Sequence, residues 1–221
     1  MMDSSSSEDR LFTVAMEMLQ GCRNREDLAQ GVAAFAVLVE ELAGDSEVAC
    51  RAGCPHCCLL TVTVLIPEAA AIALHLAGKH SFEELTVLKA QLDSKRRLVR
   101  WMEDGERVRC LHWCVFLDAG DRCSIHPVRP LVCRGVTSLD RSLCQEALAP
   151  SNLVAPGAVP MDMMRKTVVE DAFCALVRAQ ADSGWGTRGI ELSAGVAAFL
   201  AQPELIDLML DGGRLPPELW D

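Results

Sequence analysis

The spacing of apolar residues along the chain predicts a mainly α protein. Leu28, Val32 and Phe35 lie three or four residues apart, as they do on the buried face of an amphipathic helix. Asn24 can cap the free backbone N–H groups at the start of this helix, and Gly44 can end it. The same criteria predict further helices at about residues 8–20, 67–77, 81–102, 161–181, 193–201 and 203–211.

The most apolar stretch, LLTVTVLIPEAAAIALHLAG at residues 59–78, is long enough to resemble a membrane span. Pro67 and Glu68 interrupt it at its centre. The pattern therefore favours a buried strand followed by a core helix with Pro67 in its first turn, and we predict no membrane association.

Two segments, residues 50–58 and 110–144, have few helix signals and contain most of the cysteines. In the second segment the polar sequence DAGD at 118–121 predicts the turn of a small β-hairpin. In that register Leu117 faces Arg122 and Phe116 faces Cys123. Cys114 then shares a face with Cys123 at a diagonal distance of about 7–8 Å, which two sulfurs bound to one metal centre can bridge.

These elements indicate a single helical domain with a cysteine-rich metal-binding loop region and a small β-hairpin. Residues 1–7 are a predicted disordered tail, because four serines among acidic residues offer nothing to bury. Residues 8–45 are expected to form N-terminal helices and residues 46–150 the cysteine-cluster core. Residues 151–221 are expected to form a C-terminal helical segment packed on that core.

The formal net charge of −10 argues against nucleic acid as a partner, because binding to phosphates needs a basic surface. Lys95, Arg96, Arg97 and Arg100 lie on one predicted helix and are interpreted as a solvated face. The N-terminus is polar and acidic, unlike a secretory signal, so we expect a cytoplasmic protein. The sequence leaves open a protein partner or a small-molecule substrate.

Eleven cysteines among 221 residues are the strongest chemical signal in the chain. In a reducing compartment, clustered thiols indicate metal binding or redox chemistry rather than disulfides. Cys22 and Cys174 lie in helical patterns and are interpreted as small core residues. The predicted metal ligands are Cys50, Cys54, Cys57, Cys58, Cys114, Cys123 and Cys133. The further candidates are Cys110, Cys144, His56, His112 and His126.

The cysteine spacing bears on the identity of the metal. Cys54 and Cys57 have the spacing of a zinc knuckle, but no second pair with that spacing completes a zinc ribbon. The side chains of adjacent Cys57 and Cys58 diverge, which favours two metal ions or a polynuclear cluster over one zinc ion. Cys50, Cys54 and Cys57 also have the spacing of the radical S-adenosylmethionine enzymes, whose alternation of strands and helices this pattern does not show.

Arg129 and Arg134 flank Cys133 and are predicted cofactor-binding residues. Pro127 and Pro130 predict a stiff turn that brings this part of the chain back toward the hairpin. There the two arginines can donate hydrogen bonds to thiolates and offset their charge. The alternative is that the arginines pair with Asp118, Asp121 or Asp140.

The segment CRAGCPHCC, followed by CVFLDAGDRCSIHPVRPLVCR, resembles the YkgJ-type cysteine-cluster family, a zinc- or iron-chelating domain with the motif CxxxCxxCC. The second motif of that family looks like C-x-F-L followed by C-S-I-Y-x-x-R-P-x-x-C-R. This chain departs from it at His126, where the family usually has tyrosine. The matching residues are Cys114, Phe116, Leu117, Cys123, Ser124, Ile125, Arg129, Pro130, Cys133 and Arg134.

The resemblance implies a cytosolic bacterial metal-binding domain, and it extends to the flagellin lysine N-methylases, which are associated with an iron–sulfur cluster. Our first hypothesis is a redox or cluster-dependent protein that binds an iron–sulfur cluster, with [4Fe-4S] as first choice and zinc as second. The second is a cluster-dependent enzyme that uses S-adenosylmethionine for methyl transfer, in which Arg134 steers an anionic group. The third is a structural zinc-binding adaptor.

Overall fold

The computed structural model describes residues 4–152 and 158–216 as a mainly helical chain, which confirms the predicted fold class. The helices are α1 (Ser4–Gly21), α2 (Arg25–Ala43), α3 (Ile66–Lys79), α4 (Phe82–Val99), α5 (Asp104–Arg109), α6 (Leu131–Gly135), α7 (Arg141–Ala147), α8 (Met163–Asp182), α9 (Leu192–Ala201) and α10 (Glu204–Leu210). Short 3₁₀ turns lie at His56–Leu59, His126–Val128 and Pro150–Asn152.

The first group of helices consists of α1, α2 and α8, whose apolar faces share one core. Leu11 on α1, Phe35 on α2 and Leu176 on α8 are almost fully buried there. Burial of a side chain of this size contributes about 1.5–3 kcal/mol. This core therefore packs a helix from the C-terminal half of the chain against the two N-terminal helices.

The second group consists of α3, α4 and α9, and α2 packs against α3 to join the two groups. Ile72, Leu92 and Phe199 supply one buried side chain from each helix of this group. Phe116 and Ile125, from the cysteine-rich region, are buried in the same core. The loops that carry the cysteines are thus anchored by apolar side chains that enter the helical core.

The only sheet in the described ranges pairs β1 (Thr63–Val64) with β2 (Ile190–Glu191) in antiparallel register. Just before β2, a Cβ atom on Gly189 would lie 2.5 Å from Cγ2 of Thr63, so only glycine fits this close approach. The buried strand that the sequence predicted is β1, which has only two residues. The predicted core helix follows it as α3, with Pro67 in its first turn.

Several helix ends are formed by the residues that the sequence indicated. The side chain of Asn24 accepts a hydrogen bond from the backbone N–H of Asp27, and Gly44 ends α2 with φ at +69°. The Ser81 side chain and Glu84 form the expected capping box at the start of α4. These caps satisfy N–H groups that a helix leaves unpaired at its first turn.

The predicted disordered tail of residues 1–7 was wrong from residue 4 onward, because α1 begins at Ser4. Residues 1–3 lie outside the described chain. Leu11 and the apolar residues after it anchor α1 in the core. Each residue added to the end of an anchored helix forms one further backbone hydrogen bond. Polar serines are compatible with such an extension at a helix start.

The cysteine-rich region is more helical than we predicted. Helix α4 ends at Val99, and the short helices α5, α6 and α7 follow it. Helices of five to seven residues are not stable in isolation, so tertiary contacts must hold them. One such contact is the side chain of Asp140, which accepts hydrogen bonds from the backbone N–H groups of Ser142 and Leu143 at the start of α7.

Glu68 is a buried carboxylate, only 4% exposed, in the first turn of α3. One of its oxygens accepts a hydrogen bond of 2.9 Å from the backbone N–H of Leu65, and the other accepts one of 2.7 Å from the N–H of Leu131. Burial raises the pKa of Glu68, while these hydrogen bonds and the charge of Arg134 oppose that rise. A single side chain thereby joins the N-terminal ends of α3 and α6.

Each of the helices described falls short of the length and apolar character that crossing a membrane requires. The pair α9 and α10 meets the criteria only when the two helices are taken together, and they are bent by 97° at their junction.

The substitution Glu68→Ala is expected to lower the free energy of unfolding by about 2–4 kcal/mol, because it leaves two buried N–H groups without acceptors. Glu68→Gln keeps one oxygen acceptor and is expected to lose less. Urea unfolding followed by circular dichroism measures both values. A Glu68→Ala protein within about 0.5 kcal/mol of the wild type would contradict this role.

Candidate metal centre

The first cysteine segment, residues 50–58, is a tight turn that leads into a 3₁₀ turn. The backbone N–H of Cys54 donates to the carbonyl of Arg51 at 3.0 Å, and Gly53 has φ at +84°, a conformation that favours glycine. The N–H of Cys58 donates to the carbonyl of Pro55 at 2.7 Å. Leu59, 2% exposed, fixes the end of the segment in the core.

The second cysteine segment meets the first through the backbone. The N–H of Cys114 donates to the carbonyl of Cys58 at 2.7 Å. At the other end of the first segment, the N–H of Ala49 donates to the carbonyl of Ser138 at 2.8 Å, and Arg141 on α7 donates to the carbonyl of Gly53 at 3.0 Å. These contacts bring two parts of the chain that are distant in sequence to one place.

The predicted hairpin has a different register from the one expected. An isolated antiparallel bridge pairs Leu117 with Cys123, so the loop between them has five residues rather than four. Asp121 has φ at +58°, and the Asp118 side chain accepts hydrogen bonds from the N–H groups of Gly120 and Arg122. This wider loop replaces the predicted pairs Leu117 with Arg122 and Phe116 with Cys123.

The structure gathers the predicted ligands into neighbouring positions. Burial is the main cause that raises the pKa of Cys114 to about 11, and the charge of a nearby Cys123 thiolate adds to it. Burial likewise raises the pKa of Cys133, with further contributions from Cys114, Cys57 and Cys123. Cys114, Cys123 and Cys133 also pack against the same hydrophobic core. All eleven cysteines are free thiols.

Cys57 and Cys58 form the tightest pair in this group. A hydrogen bond from Cys58 lowers the pKa of Cys57 and raises that of Cys58, and burial opposes the first shift and adds to the second. A metal ion would have to displace protons from the buried thiols, as it does in thiolate sites generally. Metal binding is therefore expected to release protons at neutral pH.

The thiols are close to one another but are not arranged around a common point. Among the Cys, His, Asp and Glu side chains that the structure describes, no group of three has an arrangement that would hold a metal ion. The donor set nevertheless fits zinc or iron, since both are bound by thiolates. His56 supplies a further observation, because its Nε2 atom is buried and has no hydrogen-bond partner.

Cys50 and Cys144 lie at one edge of this group. The Cys50 sulfur accepts a hydrogen bond of 3.3 Å from the N–H of Ser138. Burial raises the pKa of Cys144 on α7, and the charges of Cys57, Cys50 and Cys54 add to that effect. Cys144 was only a further candidate in the sequence, and the structure places it beside the first segment.

The other cysteines lie elsewhere. Cys110 is exposed at the end of α5, and the thiol interactions described above do not involve it. Cys22 is buried and donates to the carbonyl of Met18, in agreement with a core residue. Cys174 is exposed on α8, so its interpretation as a core residue was wrong.

Arg134 does not have the partners that the sequence suggested. Its Nη1 donates to Glu40 at 3.1 Å, its Nε to the carbonyl of Arg129 at 3.0 Å and its Nη2 to the carbonyl of Pro127 at 3.3 Å. These hydrogen bonds engage all three of its nitrogens. Arg134 therefore braces the turn before Cys133 instead of donating to thiolates or to the aspartates considered as an alternative.

Arg129 is better placed for the predicted role. Its Nη2 lies 3.4 Å from Glu40, but its Nε is buried without a partner. Its positive charge lowers the pKa values of Cys57 and Cys133, in both cases as a smaller effect than burial. Arg129 can therefore offset thiolate charge, and its direct binding of a cofactor stays a prediction.

Glu40 on α2 is a residue that the sequence analysis missed. It accepts from Arg129 and Arg134 of the cysteine-rich region and from Arg165 at the start of α8. Burial alone would raise the pKa of Glu40, but hydrogen bonds from Arg165 and Arg134 outweigh burial and lower it. Nothing in the local pattern of α2 distinguishes this carboxylate from a solvated one.

Arg107 and Glu191 lie near Cys114 and were also missed. Arg107 is 3% exposed, and its Nη1 lies 3.5 Å from the Glu191 carboxylate. Burial raises the pKa of Glu191, while hydrogen bonds from Ala194 and Ser193 and the charge of Arg107 oppose that rise. The charge of Arg107 also lowers the pKa of Cys114, against the larger effect of burial.

Two cysteine segments that a helical scaffold holds together define a cysteine-cluster protein. Residues 49–150 match the family model CxxCxxCC, described as "Putative zinc- or iron-chelating domain", and this match confirms the resemblance inferred from the motifs. This region of the chain is thus similar to the CxxCxxCC family, and a metal-binding role is supported. Neither the curated proteins nor the solved structures that were searched include a match.

The substitution Glu40→Gln is expected to lower the free energy of unfolding by about 1–3 kcal/mol at pH 7, because it weakens the hydrogen bonds of a charged acceptor. Since the pKa of Glu40 is lowered by folding, its stabilisation is present above the ordinary carboxyl pKa of about 4.3 and is lost as pH falls through the folded value. The difference between wild type and variant should therefore shrink at about pH 3.5. Glu41→Gln, at an exposed neighbouring position, is the control for urea unfolding at both pH values.

Proposed function

We propose that the two cysteine segments together bind one iron–sulfur cluster, with [4Fe-4S] as first choice, and that the protein has a redox or cluster-dependent role. The observation that carries this proposal is that Cys114, Cys123 and Cys133 pack against one hydrophobic core, while their charges and those of Cys57 and Cys58 influence one another. The backbone hydrogen bond between Cys114 and Cys58 supports it, because it joins the two segments at this group.

The number and arrangement of the thiols favour a cluster over a single ion. A structural zinc ion takes four ligands in tetrahedral geometry, whereas this region offers more thiols than four. The adjacent thiols of Cys57 and Cys58 are hydrogen-bonded to each other, so both belong to the same group. A cluster has several metal atoms and can be bound by thiols that do not point at a single centre.

The residues around the thiols fit this role. When bound, an iron–sulfur cluster supplies one-electron redox chemistry, and its potential depends on charge, hydrogen bonding and exposure. Arg129 contributes positive charge from the α2 side and Arg107 from the α5 side. Burial of Cys114 and Cys133 limits access of water to the site.

A zinc-binding adaptor is a second candidate, and His56 favours it. Its Nε2 atom is buried without a partner in the middle of the first cysteine segment. Structural zinc sites commonly combine cysteine with histidine, and a bound metal would satisfy such an orphaned nitrogen. S-adenosylmethionine-dependent methyl transfer stays a prediction. Radical enzymes that use S-adenosylmethionine have a partial barrel, whereas the described residues of this chain form a single two-stranded sheet.

Anaerobically purified protein is expected to be brown, with a broad absorption band near about 400 nm and about equal amounts of iron and acid-labile sulfide. Cys58→Ser and Cys133→Ser should each lower the iron content by at least about half, because they remove thiols from the centre of the group. Cys174→Ser should leave it unchanged, since this exposed thiol lies on α8 outside both segments. Circular dichroism checks that each variant is folded.

A colourless protein that contains zinc in a fixed ratio to the chain and no sulfide would contradict the cluster. In that case His56→Ala decides whether His56 is a ligand. If it is, the variant should lose zinc about 10–100-fold more readily to a competing chelator, as expected when a residue of a metal site is removed. Unchanged zinc retention would remove His56 from the ligand set.

A further inference from the structure

The outward face of α4 carries an exposed apolar stripe, on a part of the molecule that the metal proposal does not use. Val87, Leu98 and Trp101 are 58%, 48% and 82% exposed, which is high for large apolar side chains. Gln91 and Ser94 lie between them, and both are exposed and uncharged. Exposed apolar side chains that share one face indicate an interaction surface.

The five residues of this stripe recur at intervals of four, three, four and three residues. This is the spacing by which one helix pairs with another along its length. The stripe lies on the opposite side of α4 from Leu92 and Val99, which are almost fully buried, so α4 packs on the protein with its other face. Arg100 keeps the helical backbone conformation after the end of α4, so Trp101 continues the stripe.

The charges beside the stripe are opposite at the two ends of α4. Glu83 lies in the first turn and Arg97 in the last, and at 3.6 residues per turn both are on the same flank of the stripe. Arg97 pairs with Asp93 through Nη2 at 2.6 Å, yet its side chain is 73% exposed. A second copy of α4 in antiparallel orientation therefore brings its Arg97 toward Glu83. The same orientation places the positive N-terminal end of each helix dipole near the negative C-terminal end of the other.

We propose that two copies of this chain associate through α4, in antiparallel orientation about a two-fold axis. With the axis between Gln91 and Ser94, Val87 of each copy lies against Leu98 of the other, and Gln91 lies against Ser94. A two-fold contact uses the same surface on both copies, so one stripe is sufficient. The members of the stripe are uncharged, so the contact avoids the repulsion that a net charge of −10 otherwise causes between copies.

One helix from each copy makes a small interface. Stable complexes bury about 1,200–2,000 Å² in total, and contacts below that range are weak. We therefore expect a dimer with a dissociation constant of about 10–500 μM.

Sedimentation equilibrium of the full chain tests the proposal, with a reducing agent present so that disulfides make no contribution. Leu98→Glu should raise the dissociation constant at least about tenfold, because it places a carboxylate of each copy in the apolar contact without a partner. Val37→Glu is the matched control, since Val37 is 57% exposed on α2 and lies outside the stripe. It should leave the dissociation constant unchanged, and circular dichroism checks that both variants are folded.

Charge reversal tests the orientation of the two helices. Glu83→Arg and Arg97→Glu should each weaken the dimer about threefold or more, because each brings like charges together. An equimolar mixture of the two variants should recover the wild-type affinity, since opposite charges then meet at both ends. In a parallel pair, each single variant would only exchange one like-charged contact for another and leave the affinity unchanged.

A wild-type chain that stays monomeric up to about 1 mM would overturn the proposal, because even a weak specific contact associates at that concentration. An equal loss of association in Leu98→Glu and Val37→Glu would also overturn it. Unchanged affinity in both charge-reversed variants, or a mixture that associates no more tightly than either variant alone, would contradict the antiparallel contact.

Discussion

The buried carboxylate of Glu68 is the contact on which the position of the cysteine-rich region depends. It accepts from the N–H of Leu65 at one end and from the N–H of Leu131 at the other, and so connects the core helix α3 with the short helix that carries Cys133. Helix α6 has five residues and could not persist without such a partner. Arg134, the residue after Cys133, donates a hydrogen bond to Glu40 on α2. The position of Cys133 therefore depends on contacts with both helix groups.

The helical scaffold brings the two cysteine segments together through backbone hydrogen bonds. Burial favours protonated sulfurs at Cys114 and Cys133, which reduces repulsion while the site is without metal. A metal ion would have to displace these protons in order to bind. Apolar anchors such as Leu59 and Phe116 hold the two segments in the core.

The sequence predicted those features that depend on neighbouring residues and missed those that depend on distant ones. The cap of α2 at Asn24 is local, and its spacing to Asp27 was sufficient to identify it. The loop of residues 118–122 was read one residue too short, because Asp121 adopts a left-handed conformation that no turn signal at that position indicated. Glu40 could not be recognised, because its three arginine partners lie about 90 to 125 residues away in the chain.

The distance along the chain between the two cysteine segments has a consequence for synthesis. The four thiols of the first segment end at Cys58, and the last predicted ligand of the second segment is Cys133. At a translation rate of about 5–20 residues per second, roughly 4–15 seconds separate the emergence of these residues from the ribosome. During that interval the adjacent thiols of Cys57 and Cys58 are without the second cysteine segment, which Phe116 and Ile125 later anchor in the core. Delivery of the metal to the nascent chain would therefore reach an open, four-thiol site different from the one in the finished protein.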